Sequence, residues 1–366
     1  MLTTTFLFLA VLVTLVMIHE FGHYVAAKIT GMRVEEFAFG FPPRLFSKKI
    51  GETEYSINML PIGGYVKITG ESFDEAEREK NKNDKKAFQN KNRLAQFFVL
   101  SAGIIMNLVL AFAIFTFTNV GEKYIRADDI NYSSYVKNPK IIVTSVSPNS
   151  PSKTAGITSG DEVLEFRAGN DVADLKSVAS VIDLVRRNNE ADIKIIFKKE
   201  NGEVVTSTVR AVFGVTPDRK SIGMGVMYAE KVNLSFLDSV KKAFSDTGYY
   251  TVETVKSYYN LFSKLFTGNN VLSSLSGPVG IAKAVGNASQ SGLDDFLSFV
   301  ALLSINLAVF NALPLPALDG GRILFVIYES LTRKKISMNF QYYANLIGFL
   351  FLIGLMITVT FFDIFK

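Results

Sequence analysis

An apolar run covers residues 2–27 of this chain and reads LTTTFLFLAVLVTLVMIHEFGHYVAA. As a helix with a rise of about 1.5 Å per residue, it is long enough to cross ~30 Å of hydrocarbon. It contains His19-Glu20-Phe21-Gly22-His23, which includes the only two histidines of the chain. Ionisable side chains at membrane depth cost roughly 3 kcal/mol each and usually serve a function. We therefore predict a membrane-spanning helix that carries a functional site.

The spacing of the two histidines indicates a metal site. Positions i and i+4 share one face of a helix, so His19 and His23 can reach one ion while Glu20 lies beside them. This spacing is typical of a helical zinc site with a built-in general base. The chain has no cysteine, which excludes thiolate ligands, disulfides and a cysteine nucleophile. Zn²⁺, the predicted cofactor, would therefore be held by nitrogen and oxygen atoms. The alternative is that residues 19–23 match the zinc-site pattern by chance.

The composition favours a membrane protein. Apolar residues make up 48% of the 366 residues, and the mean hydropathy is positive. The net charge of +5 could suggest nucleic acid, but the cations are mixed with acids and concentrated next to apolar runs. Positive-inside topology explains that pattern better. We expect the lipid bilayer as a partner and no nucleic acid.

The fold class that we predict is a multi-pass α-helical membrane protein with four transmembrane helices, a membrane-associated β-hairpin and an inserted α+β domain. Cations follow the first span and none precedes it, so the loop after it is predicted to be cytoplasmic, with both termini outside. The membrane parts cover residues 1–122 and 293–366, with spans at about 2–27, 96–118, 293–318 and 343–362.

A hairpin is predicted at about residues 50–70, as two short strands around a Pro/Gly turn at residues 61–64. An ordinary surface hairpin would show the same pattern. The alternative is a hairpin that dips toward the site and offers its edge to an extended substrate. Gly63, Gly64 and Tyr65 are then candidate substrate contacts.

Residues 123–228 have the composition of a soluble domain with several strands and a helix at about 175–187, and the topology predicts that this domain is extracytoplasmic. Residues 229–292 read as an amphipathic segment on the outer membrane surface, although a packed soluble helix would look the same. Within that segment, residues 276–281 (SGPVGI) predict a rigid turn.

The third span reaches Asn311-Ala312-Leu313-Pro314-Leu315-Pro316-Ala317-Leu318-Asp319. Two prolines so close together break a helix, which a membrane tolerates where the backbone lines a cavity. The first and third spans run in the same direction, so Asp319 falls at the depth of the histidines. It is the predicted third zinc ligand, which leaves a fourth position open for water.

Two asparagines are candidates to bind substrate backbone or a developing oxyanion. Asn107 lies in the second span, after the small residues Ser101, Ala102 and Gly103 that permit close helix approach, and Asn311 lies before the proline break. An intramembrane asparagine more often joins helices by hydrogen bonds, and that alternative stays open for Asn107.

These motifs together resemble the site-2 protease family of intramembrane zinc metalloproteases. The resemblance rests on residues 19–23, on Leu318-Asp319-Gly320 in a later span and on residues 276–280. Residues 148–166 resemble a bacterial PDZ domain, and one such domain between spans two and three resembles the bacterial regulator of sigma-E protease group. The resemblance implies cleavage of single-span membrane proteins, such as anti-sigma factors or remnant signal peptides, in the bacterial cytoplasmic membrane.

The resemblance also implies regulated intramembrane proteolysis, with the hairpin as a substrate-binding element and a PDZ-like domain that excludes uncut substrates or binds peptide tails. Ser221 to Val226 is a poor match to a carboxylate-binding loop. A noncatalytic membrane adaptor with a structural metal site is the alternative function, but no further Cys or His could fill a fourth ligand position. A metal transporter would need ligands along a path, and only one cluster is visible.

Overall fold

The computed structural model describes residues 2–72, 75–128, 135–216, 219–266 and 277–365. The chain divides into two compact units. The membrane unit comprises residues 1–118 and 243–366, and the inserted unit comprises residues 119–242.

Helices form most of the membrane unit, and strands are the commonest regular structure in the inserted unit. The helices are α1 (Leu2–Ile29), α2 (Glu75–Lys80), α3 (Arg93–Asn119), α4 (Pro151–Thr154), α5 (Val178–Arg187), α6 (Phe236–Phe266), α7 (Pro278–Gln290), α8 (Leu293–Ala312), α9 (Asp319–Thr332) and α10 (Met338–Phe365). The strands are β1 (Val34–Ile50), β2 (Thr53–Ile68), β3 (Gly121–Arg126), β4 (Lys140–Val146), β5 (Glu162–Ala168), β6 (Asp171–Val172), β7 (Ile193–Lys198), β8 (Val204–Val209), β9 (Val212–Thr216), β10 (Arg219–Ser221) and β11 (Met224–Leu234).

Four helices in the described ranges are long and apolar enough to cross a membrane, namely α1 (from Thr3), α3, α8 and α10. They support the predicted membrane protein with four spans. The third span is shorter than predicted, because α8 ends at Ala312 rather than at 318. Leu313 is extended (φ −60°, ψ 142°), as the residue before a proline must usually be, and Pro314 has no N–H to continue the helix. The helix resumes at Asp319, as α9.

Strands β1 and β2 form a longer hairpin than the sequence predicted, and the predicted turn is wrong. The chain reverses at Gly51 and Glu52, whereas residues 61–64 lie inside β2. Phe37 has β2 partners on both sides, Tyr55 and Val66. Pro61 and its glycine neighbours therefore mark an irregularity inside one strand, where β2 passes from one side of β1 to the other.

The helices of the membrane unit approach closely through small residues. A Cβ added to Gly22 of α1 would lie 2.4 Å from the Ala102 carbonyl oxygen of α3, so only glycine fits there. The Ser304 hydroxyl of α8 donates a hydrogen bond to the Asn107 carbonyl oxygen (2.8 Å). Close backbone contact and interhelical hydrogen bonds are what hold helices together in lipid.

The inserted unit is built on a sheet with strand order β3-β11-β4-β5-β7-β8, with β6 paired to β5. Its core contains fully buried Phe166, Phe197, Ile193 and Ile195 from β5 and β7, with Leu184 from α5. The alternation along β7, in which Ile193, Ile195 and Phe197 are buried, is what one core-facing side of a strand requires.

The turn predicted at residues 276–281 is also wrong in its described part, since Pro278 begins α7. Proline is favoured in the first turn of a helix, where its missing N–H has no partner to lose. The Gly280 amide in that first turn donates to Asp363 Oδ2 near the end of α10 (2.8 Å). Ser276 and residues 267–275 of the predicted amphipathic segment lie outside the described residues.

Candidate metal centre

Three side chains from two distant parts of the sequence converge in the membrane unit. His19 and His23 lie one turn apart on α1, and Asp319 is the first residue of α9. Asp319 Oδ2 lies 3.0 Å from His19 Nε2 and 3.4 Å from His23 Nε2. The two Nε2 atoms are 3.2 Å apart. Both histidines are buried, with 7% and 9% of their surface exposed.

The donor atoms of this cluster fit a cation. Asp319 Oδ2 is buried and has no hydrogen-bond partner, although two imidazole nitrogens lie near it. His23 Nδ1–H donates to the Val99 carbonyl oxygen (2.8 Å), which in a neutral ring leaves Nε2 without a proton. Bare nitrogen and oxygen lone pairs repel one another, and a metal ion between them removes that repulsion. Imidazole nitrogens and a carboxylate oxygen are ligands that Zn²⁺ prefers.

Gly103 of α3 provides the space that the two imidazoles occupy. A Cβ at this position would lie 2.5 Å from His23 Nε2 and 2.6 Å from His19 Cε1. In the sequence this glycine stands out only as part of a small-residue stretch, because nothing local connects it with the histidines. Any larger residue at 103 would displace the rings.

Asn107 contacts the outer nitrogen of His19. Its Nδ2 atom lies 3.3 Å from His19 Nδ1, and its Oδ1 atom is buried without a partner. A 180° rotation of the amide exchanges the two atoms, so that Oδ1 accepts a hydrogen bond from His19 Nδ1–H. That arrangement satisfies Oδ1 and leaves His19 Nε2 free to bind a metal. Asn107 is completely buried.

The turn between α8 and α9 positions Asp319. Ala317 adopts a left-handed backbone conformation (φ 73°), and its amide donates to Asn345 Oδ1 of α10 (2.7 Å). This bond ties the proline-containing turn to α10, so the start of α9 has a defined place. Asn311 lies in the last turn of α8 and is half-buried.

The predicted general base and the predicted substrate contacts lie together. Glu20 Oε2 accepts a hydrogen bond from the Val66 amide of β2 (3.1 Å). On the same strand, a Cβ at Gly64 would lie 2.5 Å from Met17 Sδ of α1. Tyr65 stacks on Phe41 with 6.1 Å between the ring centroids. Sequence reasoning missed Val66 and Val99, because both act through backbone atoms, which any residue type provides.

Comparison with known proteins gives the family of the chain. The family model described as peptidase family M50 matches residues 7–355. The chain belongs to peptidase family M50. Two clostridial relatives and one cyanobacterial relative cover nearly all of it, and all three are named provisionally as zinc metalloproteases.

The Clostridium perfringens relative is 35% identical over 96% of this chain and 95% of its own length. The Clostridium acetobutylicum relative is 33% identical over 96% and 94%, and the Nostoc relative is 30% identical over 95% and 92%. This M50 protein is a zinc metalloprotease, as the sequence predicted, and the resemblance to the site-2 protease family is confirmed at the level of the family.

Proposed function

We propose that this M50 peptidase is an intramembrane endopeptidase that hydrolyses peptide bonds inside the transmembrane segments of single-span membrane proteins. The observation that carries the proposal is the position of the metal cluster. Two of its three side chains lie within a candidate span, and the third follows another span after a short turn. A soluble peptidase would have no need to bury these side chains among apolar helices.

His19, His23 and Asp319 are the proposed zinc ligands. Zinc held by them would lower the pKa of water toward ~7 and polarise the scissile carbonyl. Val99 and Asn107 orient the imidazoles from behind, so that both Nε2 atoms face Asp319. For Asn107 these contacts support a positioning role, and its predicted contact with substrate stays a prediction.

Glu20 is the proposed general base. Its carboxylate would take the proton from the attacking water and pass it to the leaving amide nitrogen. The Val66 amide already holds Oε2, so one carboxylate oxygen is fixed and the side chain has a defined orientation. A base that is held in place loses little entropy when the reaction begins.

The substrate must unwind locally, because a helix hides its peptide bonds in its own hydrogen bonds. Strand β2 supports a way to hold the unwound segment, since it pairs with β1 and its Val66 amide also donates to the Glu20 carboxylate. An extended segment paired with Gly63, Gly64 and Tyr65 would lie beside that carboxylate. Asn311 is proposed to bind substrate backbone from the other side of the proline break.

We propose the topology that the charge distribution predicts, with both termini and the inserted unit outside the bacterial cytoplasmic membrane. The inserted unit is proposed to be PDZ-like and to screen substrates, among them anti-sigma factors and remnant signal peptides. A cavity of about 130 Å³ between α5 and residues 220–226 supports the binding of peptide tails there. Arg186 and Lys220 line it and could pair with a terminal carboxylate.

Glu20→Gln tests the proposal, because glutamine keeps the shape of the side chain and cannot accept the proton. We expect cleavage to fall about 10²–10⁴-fold with zinc content unchanged. Membrane proteomes of cells with the parent protein and with Glu20→Gln would show single-span proteins that accumulate only in the variant. Glu203→Gln, at an exposed carboxylate of the inserted unit that does not line the cavity beside α5, is the control and should behave as the parent. Unchanged cleavage by Glu20→Gln would favour the adaptor.

A further inference from the structure

A second feature of the membrane unit, which we call the basic cavity, plays no part in the proposed reaction. It has a volume of about 430 Å³ and lies between α2, the start of α3, one face of α9 and the start of α10. Its volume is within the range of small-ligand sites. The neighbouring polar groups hold its walls in place, since Gln96 donates to the Phe88 carbonyl (2.8 Å) and Gln89 to the Arg78 carbonyl (2.8 Å).

The cavity carries an excess of positive charge. Its described lining includes five cationic side chains and two carboxylates, Arg78, Lys82, Arg93, Arg322, Lys335, Glu79 and Glu329. Glu329 forms an ion pair with Arg93 at 2.6 Å, and Glu79 forms one with Lys82 at 3.0 Å. Arg322 also pairs with Glu71, outside the lining, at 2.6 Å. The five cations still outnumber these three carboxylates by two, which favours an anionic ligand, and arginine forks match the oxygens of a phosphate group.

The cations of the cavity are close enough to affect one another. Burial, and after it the neighbouring Arg322 guanidinium, lowers the pKa of Arg78 below the ordinary arginine value. An anion between the two guanidinium groups would remove both the repulsion and part of the desolvation cost.

The position of the cavity indicates whether its anionic ligand is a lipid headgroup or a soluble phosphate. Arg93 and Met338, which line it, are the first residues of the candidate spans α3 and α10. With α3 and α10 as membrane spans, the cavity lies where both leave the hydrocarbon, at the level of lipid headgroups. Its lining also includes apolar Leu100, Phe325 and Val326, which a soluble phosphate would not need. Leu94, on the first turn of α3, is 80% exposed and suits contact with acyl chains.

We propose that the basic cavity binds the phosphodiester headgroup of an anionic phospholipid. Arg322 connects it to the metal centre, because it lies one turn after Asp319 on α9 and pairs with Glu71 at 2.6 Å. Glu71 lies three residues beyond the end of β2. A bound headgroup would thus stabilise the helix that carries Asp319. The binding itself does not depend on the proposed cleavage reaction, and neither of the measurements that test it requires a substrate.

The test uses the full-length protein in nanodiscs of phosphatidylcholine with or without phosphatidylglycerol. The two measurements are the phosphatidylglycerol retained per protein after detergent washing and the midpoint of thermal unfolding. We expect the parent protein to retain phosphatidylglycerol and to unfold at a higher temperature in its presence. Arg78→Gln combined with Lys335→Gln should lower retention at least about tenfold, since the variant removes two of the cations that attract an anionic headgroup.

The control is Lys80→Gln combined with Lys85→Gln, which removes the same charge from exposed positions outside the cavity. It should retain lipid as the parent does. If both double variants lose the same amount of phosphatidylglycerol, the retention depends on general surface charge and the proposal is overturned. Inorganic phosphate and glycerol 3-phosphate are the competitors. Displacement of the lipid by either at millimolar concentration would assign the site to a soluble phosphate. If the double variant fails to fold, Lys335→Gln alone and the lipid preference of the parent decide the result.

Discussion

The core of the inserted unit and the surroundings of the metal centre are both buried, but they are built from different residues. In the inserted unit, Phe166, Phe197 and Ile195 are completely buried and fill the space between a sheet and a helix. Around the metal centre, the buried positions next to the histidines include glycine and a polar residue, Gly103 and Asn107.

The difference follows from the solvent that each region leaves. Apolar side chains gain free energy when they are removed from water, so a soluble core is stabilised by large residues. Helices that associate within a bilayer gain no hydrophobic free energy, because lipid tails are as apolar as their side chains. They are held together by close contact through small residues and by hydrogen bonds. Damage to the inserted unit should therefore appear as unfolding, and damage near the metal centre as loss of zinc.

The largest effect that we predict is in the inserted unit. Phe166→Ala should lower the free energy of its unfolding by about 3–5 kcal/mol, because the removed ring leaves a cavity in a packed core. Thermal unfolding and limited proteolysis measure this, and zinc content should not change. Val204→Ala, at a position that is 57% exposed, is the control. Loss of zinc from Phe166→Ala would show that the two regions are not independent.

The next effect is at the metal centre. Gly103→Ala adds a Cβ within 2.5 Å of His23 Nε2, and the displaced ring should lower cleavage about 10²-fold together with zinc content. Gly354→Ala on α10 is the matched control, since a Cβ there meets nothing within 4 Å. Elemental analysis and a cleavage assay separate the two variants. Full zinc content in Gly103→Ala would disprove the close fit between this glycine and the two rings.

Asn107→Ala tests the positioning of His19. Loss of the amide should weaken zinc binding roughly 10–100-fold, as is typical for groups that orient a ligand from behind. Titration with a chelator measures the affinity without any substrate. Asn107→Asp, which restores an acceptor for His19 Nδ1–H, should recover part of it. A variant that binds zinc normally but turns over substrate slowly would instead support the substrate contact predicted from the sequence.

The smallest effect concerns one interhelical hydrogen bond. Ser304→Ala removes the hydroxyl that donates to the Asn107 carbonyl, which should cost about 0.6 kcal/mol, the average for such bonds in membrane proteins. A double-mutant cycle with Asn107→Ala would reveal any coupling to the metal centre. A cost above ~2 kcal/mol would mean that this contact resembles the core of the inserted unit more than expected.

Local patterns in the sequence predicted much of the membrane unit. The apolar runs indicated the four candidate spans, and Pro314 and Pro316 indicated the helix break before Asp319. The spacing of His19 and His23 indicated their shared face. In each case the signal lies within a few residues, where helix period, proline chemistry and the cost of polar groups in lipid act directly.

Features that depend on distant contacts were not predicted. The reversal at Gly51 was missed because Pro61 and its glycine neighbours form a stronger local turn signal, which long-range pairing with β1 overrides. Strand β3 pairs with β11, although most of the inserted unit lies between them in the sequence, and no local pattern predicts this pairing. The helix that begins at Pro278 was read as a turn, since Gly-Pro fits both a loop and a helix start.

The two histidines and the lack of cysteine have a practical consequence for spectroscopy. Protein grown with isotope-labelled histidine would give imidazole NMR signals from His19 and His23 alone, so ring tautomers and metal occupancy could be followed directly in a 366-residue protein. One introduced cysteine would accept a fluorophore or spin label at a chosen position without any background. Distances from that label could then report how the molecule moves while the two ring signals report its metal.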